Sequence, residues 1–191
     1  MTALTLNIPP IAQLSDEQFY QLCLANRDLR FERTAKGELI IMPPTGGETG
    51  NRNFKLIQQL ANWTDADGTG LGFDSSTCFK LPNGADRSPD AAWIPLEKWN
   101  SLTPEQQEKF PPICPDFVIE LRSASDTLKP LQEKMREYIA NGTRLGWLIN
   151  RQKQTVEIYR QGQEVEVVQS PTTLSGEDVL PGFVLNLQPI W

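Results

Sequence analysis

Residues 115–126, PDFVIELRSASD, decide the fold. Behind the proline comes a short, nearly continuous apolar run, the pattern of a strand buried on both faces. Side chains alternate along a strand, so Phe117, Ile119 and Leu121 face one way and Val118, Glu120 and Arg122 the other. Glu120 is the only ionisable residue in the interior of the run. Burying a polar group there costs about 2–7 kcal/mol unless it is paired, protonated or bound to a cation. The carboxylate therefore needs a partner.

Downstream, SDTLKPLQEKMREYIANG reads as a helix capped near Asp126 or Thr127, with Pro130 in its first turn and Gly142 closing it. Leu128, Leu131, Met135, Tyr138 and Ile139 form one apolar stripe on it. RLGWLIN, TVEIYR and EVEVV predict strands, the last two joined by a turn at Gln161-Gly162, and the tail LSGEDVLPGFVLNL predicts one more short extended stretch.

Upstream, residues 15–26 predict a short amphipathic helix with Ser15 as N-cap. LRFERTAKGELIIMPP predicts a hairpin of strands at 29–33 and 38–42, stopped by Pro43 and Pro44. A glycine-bearing loop, TGGETG, leads to a helix over 50–64, where Phe54, Ile57, Leu60 and Ala61 recur at helical spacing. No Lys-Ser/Thr pair completes a phosphate-binding loop there, so the glycines serve turning of the backbone. LGFDSSTCFKL and SPDAAWIP predict two or three strands of a meander, and LEKWNSLTPEQQEKFPPI a connection with one or two helical turns.

This order of elements predicts an α/β (α+β) fold, a mixed central sheet flanked by helices with an extra N-terminal hairpin and C-terminal strands. Repeats, low-complexity tracts and linkers are absent from the 191 residues, so 1–191 is expected to be a single domain. With 39% hydrophobic and 22% charged residues, a chain of this length can build a core without disulfides.

Composition excludes whole classes of chemistry. The sequence has no histidine, which removes Ser-His-Asp triads, Cys-His dyads and histidine-based zinc sites. Cys23, Cys78 and Cys114 are widely spaced and odd in number, so they read as reduced buried thiols. A net charge of −6 argues against broad electrostatic adhesion to nucleic acid or anionic membrane, though not against a local basic patch. MTALTLNIPP has no secretory pattern, and no apolar run approaches the roughly 20 residues of a membrane span. A cytoplasmic protein without a membrane partner is expected.

Against that background Asp90, which opens the strand AAWIP, and Glu120 form the strongest constellation. Two carboxylates on neighbouring strands make an oxygen site for a hard cation such as Mg²⁺ or Mn²⁺. Such an ion can polarise phosphorus and lower the pKa of attacking water. Lys134 lies at one edge of the apolar stripe, from where its ammonium can snorkel to the carboxylates. Blander alternatives stay open. Glu120 can pair with Arg122 or Arg144, Asp90 can be a strand-capping acid, and Lys134 can pair on the surface with Glu133 or Glu137, while Lys129 is a weaker candidate.

These residues resemble the PD-(D/E)XK nuclease pattern, present as Pro89-Asp90 and Glu120-Leu121-Arg122. More specifically, GELIIMPPTGGETGNRN, SPDAAWIP, PDFVIELRSASD and LQEKMREYIANGTRLGWLIN resemble a restriction endonuclease-like family abundant in cyanobacteria and formerly catalogued as a domain of unknown function. The resemblance runs over most of the chain. It implies a restriction endonuclease-like fold and a Mg²⁺-dependent hydrolase acting on DNA. It further implies metal ligation by Asp90, Glu120 and the Leu121 carbonyl, with Glu48 the match for an acid from the first core helix. Arg122 stands where lysine is usual and, staying protonated, can only stabilise charge. Some members of the superfamily move the lysine to the following helix, which fits Lys134. The alternative is an inactive nucleic-acid-binding or oligomeric module on the same fold. A homodimer through exposed C-terminal strand edges, near Trp191, is a further expectation.

Overall fold

The structure is a computed structural model describing residues 3–191. The chain opens with β1 (Leu4–Leu6), α1 (Asp16–Ala25), β2 (Arg30–Arg33), β3 (Leu39–Met42) and the long α2 (Gly47–Asp67). There follow β4 (Gly70–Asp74), β5 (Phe79–Lys80), β6 (Asp86–Arg87), β7 (Ala91–Pro95) and two short helices, α3 (Leu96–Asn100) and α4 (Pro104–Glu108). β8 (Phe117–Leu121), α5 (Leu128–Ala140) and β9 (Leu145–Asn150) form the centre. β10 (Thr155–Arg160), β11 (Glu166–Gln169), β12 (Thr173–Ser175) and β13 (Val184–Asn186) complete the chain.

The central sheet has the order β11-β10-β9-β8-β7-β4 and is mixed, as expected. β8 and β9 are parallel, and a parallel pair needs a long crossover, which α5 supplies. A second, antiparallel sheet, β1-β3-β2-β6-β5, carries the N-terminal hairpin, and β12 pairs with β13. The expected meander is thus divided: β4 joins β7 in the central sheet, while β5 joins β6 in the other.

Alternation along β8 sorts the core into two layers. Phe117, Ile119 and Leu121 pack with Leu56 and Leu60 of α2 and with the C-terminal segment from Leu174 to Ile190. Val118 packs on the opposite face with Met135 and Tyr138 of α5 and with Phe79 and Leu81. Glu120 shares that second face. Gly146 on β9 lets α5 settle closely, since a Cβ there would lie 2.5 Å from the Met135 methyl carbon. Met135 is the residue next to Lys134, so this approach also fixes where the lysine enters.

Helix ends follow local chemistry. Ser15 and Gln18 form a capping box on α1, and Gly68 ends α2 in the left-handed conformation at φ 69°. α2 begins three residues earlier than the apolar spacing suggests, because the glycine-bearing loop contributes its first turn. At the chain end, the Trp191 indole N–H donates to the Pro171 carbonyl at 3.0 Å and the ring packs on the core. That tryptophan is committed within its own chain.

Candidate active site

Antiparallel register brings the two acids together. Ala91 stands opposite Ile119 and Ala92 opposite Val118, so one step further Asp90 faces Glu120. Asp90 is held from two sides: its Oδ2 accepts the Leu121 backbone N–H at 2.7 Å, and its Oδ1 accepts Asn53 Nδ2 of α2 at 3.0 Å. Asn53 Oδ1 is itself buried and has no hydrogen-bond partner among the described residues.

Lys134 reaches this pair from the first half of α5. Its Nζ lies 2.7 Å from Glu120 Oε1 and 2.7 Å from Glu32 Oε1, and it donates to the Ser88 carbonyl at 3.0 Å. The Tyr138 hydroxyl, one turn along the helix, donates to Glu120 Oε1 at 3.3 Å. Glu32 is anchored in turn by Arg87 Nη1 at 3.0 Å and the Ser88 N–H at 3.0 Å, and Arg87 Nε continues to Glu137 at 2.6 Å. Glu120 is 4%, Lys134 8% and Glu32 2% exposed, so these charges interact with little solvent screening.

Burial pushes the Glu120 carboxyl up to about 8, and Asp90 and Glu32 add to the push while Lys134 opposes it. Burial also raises Asp90, against the Leu121 N–H and the Lys134 charge. For Lys134, burial works against the ammonium, but Glu120 and Glu32 outweigh it and hold the lysine above its ordinary value. Glu32 is buried as well, yet Lys134 and Arg87 hold it below the usual carboxylate range. Near neutral pH the surroundings therefore favour a Glu32–Lys134 ion pair and a protonated Glu120.

Asp90, Glu120, Leu121 and Lys134 all line one cleft. Arg122 does not join them through its guanidinium. Nε and Nη2 donate to the Asp126 carbonyl at 3.1 and 3.0 Å, and Nη1 donates to Asn150 Oδ1 at 3.1 Å. It braces the loop after β8, and the cation beside Glu120 is Lys134. Arg144 is likewise elsewhere, paired with Asp178 at 3.0 Å. Glu48 needs correction as a neighbour of the acids: in the first turn of α2 its side chain is 76% exposed and faces Arg52 at 3.1 Å and Arg151 at 3.5 Å. The polar side chain that α2 sends to Asp90 is Asn53. Lys129 is a surface residue near Glu133. Among the described residues there is no cluster of three or more acidic or thiol groups suited to a metal.

Sequence reasoning misses Glu32, Arg87 and Asn53. Glu32 and Arg87 come from the second sheet, and neither RFER nor GADRS shows the apolar run that makes a buried charge conspicuous. None of the described helices is long and apolar enough to cross a membrane.

Comparison with known proteins agrees with this architecture. The Uma2 family model, described as "Putative restriction endonuclease", matches residues 16–188. Among solved structures, the chain is similar to a "putative nuclease belonging to DUF820" from Anabaena variabilis, with a TM-score of 0.77 and 20% identity. That match covers 93% of this chain and 97% of the other, and it shows a shared restriction endonuclease-like fold. No curated protein matches the sequence.

Proposed function

The chain belongs to the Uma2 family, and from that premise we propose that it is a metal-dependent endonuclease hydrolysing phosphodiester bonds of DNA. The observation that carries the reading is the lysine: Lys134, from the helix that follows β8, lies 2.7 Å from a Glu120 that faces Asp90. An acid pair that can hold a cation, with an adjacent ammonium, can serve phosphodiester hydrolysis at a site without histidine.

The donor set suits a hard divalent cation, Mg²⁺ or Mn²⁺. Such ions take one or two carboxylates and keep water or phosphate oxygens in the remaining positions. Asp90, Glu120 and the Leu121 carbonyl would hold the ion, and the unsatisfied Asn53 oxygen beside Asp90 supports a further oxygen-seeking occupant. When bound, the ion polarises phosphorus and eases deprotonation of the attacking water.

The other residues have distinct tasks. Lys134, kept protonated by its acidic neighbours, offers positive charge to a developing phosphorane oxygen and is no base. Glu32 keeps that ammonium in place when Glu120 is engaged elsewhere. Asn53 and the Leu121 N–H fix the Asp90 carboxylate. Arg122 contributes by bracing the loop from Ser123 to Asp126.

A second reading, a non-catalytic nucleic-acid-binding or oligomeric module, draws on Arg122 being turned away from the acids and on the edge strand β11, where Val167 is 55% exposed. Incubation of plasmid and of single-stranded DNA with Mg²⁺ or Mn²⁺, beside an Asp90→Asn variant and an EDTA blank, separates the two. Cleavage lost in both controls is expected. No cleavage under any condition would leave the second reading.

A further inference from the structure

The cleft above Asp90 and Glu120 has two walls. The N-terminal sheet forms one, through Arg30, Phe31 and Met42, and the loop after β8 with the start of α5 forms the other, through Ser123 and Leu131. Buried ion pairs staple these walls. Glu32 of β2 holds Lys134 of α5 at 2.7 Å and Arg87 of β6 at 3.0 Å, and Arg87 holds Glu137 of α5 at 2.6 Å, with no side chain among them more than 17% exposed. Spreading the walls would strand buried charges, so the width of the cleft is set by the fold.

The cleft encloses about 760 Å³, within the roughly 300–1,000 Å³ of pockets that surround small ligands. Duplex DNA is a wide rod whose major groove alone spans about 12 Å. A cleft of about 760 Å³ has room for one or two nucleotides of a strand and not for a turn of the duplex.

Charge points the same way. Seven acidic and three basic residues line the cleft. Two of the bases, Arg87 and Lys134, are paired with Glu32. Arg30, which donates to Ser75 Oγ at 3.1 Å, is the one lining cation without an acidic partner among the described residues. A duplex-binding surface neutralises many phosphates together; this cleft can meet one or two. Phe31, Met42, Pro43 and Pro44 add apolar surface that unpaired bases can cover and stacked pairs cannot.

We propose that the cleft takes a single strand of DNA, such as a frayed end, gap or loop, and excludes the intact duplex. The inference deepens the nuclease reading of this site and rests on it.

Fluorescence anisotropy tests it, with the wild-type chain in Ca²⁺, a labelled single-stranded oligonucleotide and the same oligonucleotide annealed to its full complement as a blunt, GC-ended duplex. Single-strand binding at least about tenfold tighter is expected, with a log K against log salt slope between about −0.7 and −1.4 for one or two phosphates. Arg30→Ala should weaken that binding and flatten the slope by about 0.7. Equal or tighter duplex binding, a slope expected of six or more phosphates, or no binding of either probe overturns the proposal. Cleavage of both probes in Mn²⁺ is scored separately. Cutting of the duplex alone overturns the inference while the nuclease reading stands. Selective single-strand binding with neither probe cut removes the nuclease reading and keeps the preference of the cleft.

Discussion

On the α2 face of the central sheet, Phe117 and Ile119 of β8 meet Trp93, Trp147 and Phe183 in an apolar layer, with the rings of Trp147 and Phe183 stacked at 6.0 Å. On the α5 face, the same strand offers Val118 and Glu120, and the packing there includes Lys134, Glu32 and Arg87. The two faces hold the fold by different physics. Each large side chain buried on the first contributes roughly 1.5–3 kcal/mol, without direction. Ion pairs on the second roughly break even against apolar substitutes, yet are costly to break by halves. Stability is thus concentrated on one face and directed chemistry on the other, with five residues of β8 serving both.

The largest expected effects come from breaking each face in its own way. Trp147→Ala leaves a cavity under a fully buried ring and should lower stability by about 3–5 kcal/mol. Lys134→Met leaves Glu120 and Glu32 buried without the ammonium between them, a loss of similar size, about 3–5 kcal/mol, together with loss of cleavage. The contrast lies in rescue. Glu32→Gln should cost little or even restore stability when added to Lys134→Met, whereas added to Trp147→Ala it should cost as much as it does in the wild-type chain. Urea unfolding of wild type, the three single variants and the two double variants measures both double-mutant cycles, and the comparison breaks if Glu32→Gln couples to neither or to both of the other substitutions.

A smaller effect appears with pH. Between the ordinary carboxylate value of 4.5 and about 8, folded Glu120 keeps a proton that the unfolded chain has released. Stability of the metal-free protein therefore falls as pH rises through that window and levels off above it. Glu32 has the opposite sign: its lowered pKa gives stability present above the ordinary carboxylate range and lost in acid. Glu120→Gln removes the share of the decline that Glu120 contributes and leaves that of Asp90, and because Lys134 retains Glu32 as a partner, the variant should melt higher than wild type near about pH 8. Thermal melts in EDTA across this range check it; an unchanged pH profile would show that Glu120 does not titrate in the window.

The apolar face and half of the charged face are legible in the sequence. The PDFVIEL run stands out, a lone acid within it demands a partner, and Lys134 sits where helical spacing brings it to the sheet. The hairpin is legible as well, since Gly37 supplies the positive φ its turn requires. Glu32 and Arg87 escape notice because their burial depends on a second sheet closing over α5, a long-range event that leaves no period in RFER or GADRS. Asn53 escapes because it lies among polar residues of α2, and only the approach of β7 distinguishes it. Glu48 misleads for the reverse reason: an acid next to a conspicuous glycine loop draws attention, but a first-turn position with an arginine one turn along already accounts for it.

That last pair gives the smallest predicted effect and a way to sharpen the boundary of the charged face. Glu48 interacts with Arg52 and Arg151 from a largely exposed position, and such pairs contribute about 0–1 kcal/mol. Glu48→Gln should therefore change stability by less than about 1 kcal/mol and leave Mn²⁺ affinity unaltered. Asn53→Ala, five residues along the same helix, removes the amide that steadies Asp90 at 3.0 Å and should weaken Mn²⁺ binding several-fold. Isothermal titration with Mn²⁺ compares the two. Equal weakening would mean that Glu48 serves the ion as closely as Asn53 does; loss confined to Asn53→Ala would mean that α2 acts on the site through one oriented side chain, as the geometry around Asp90 requires.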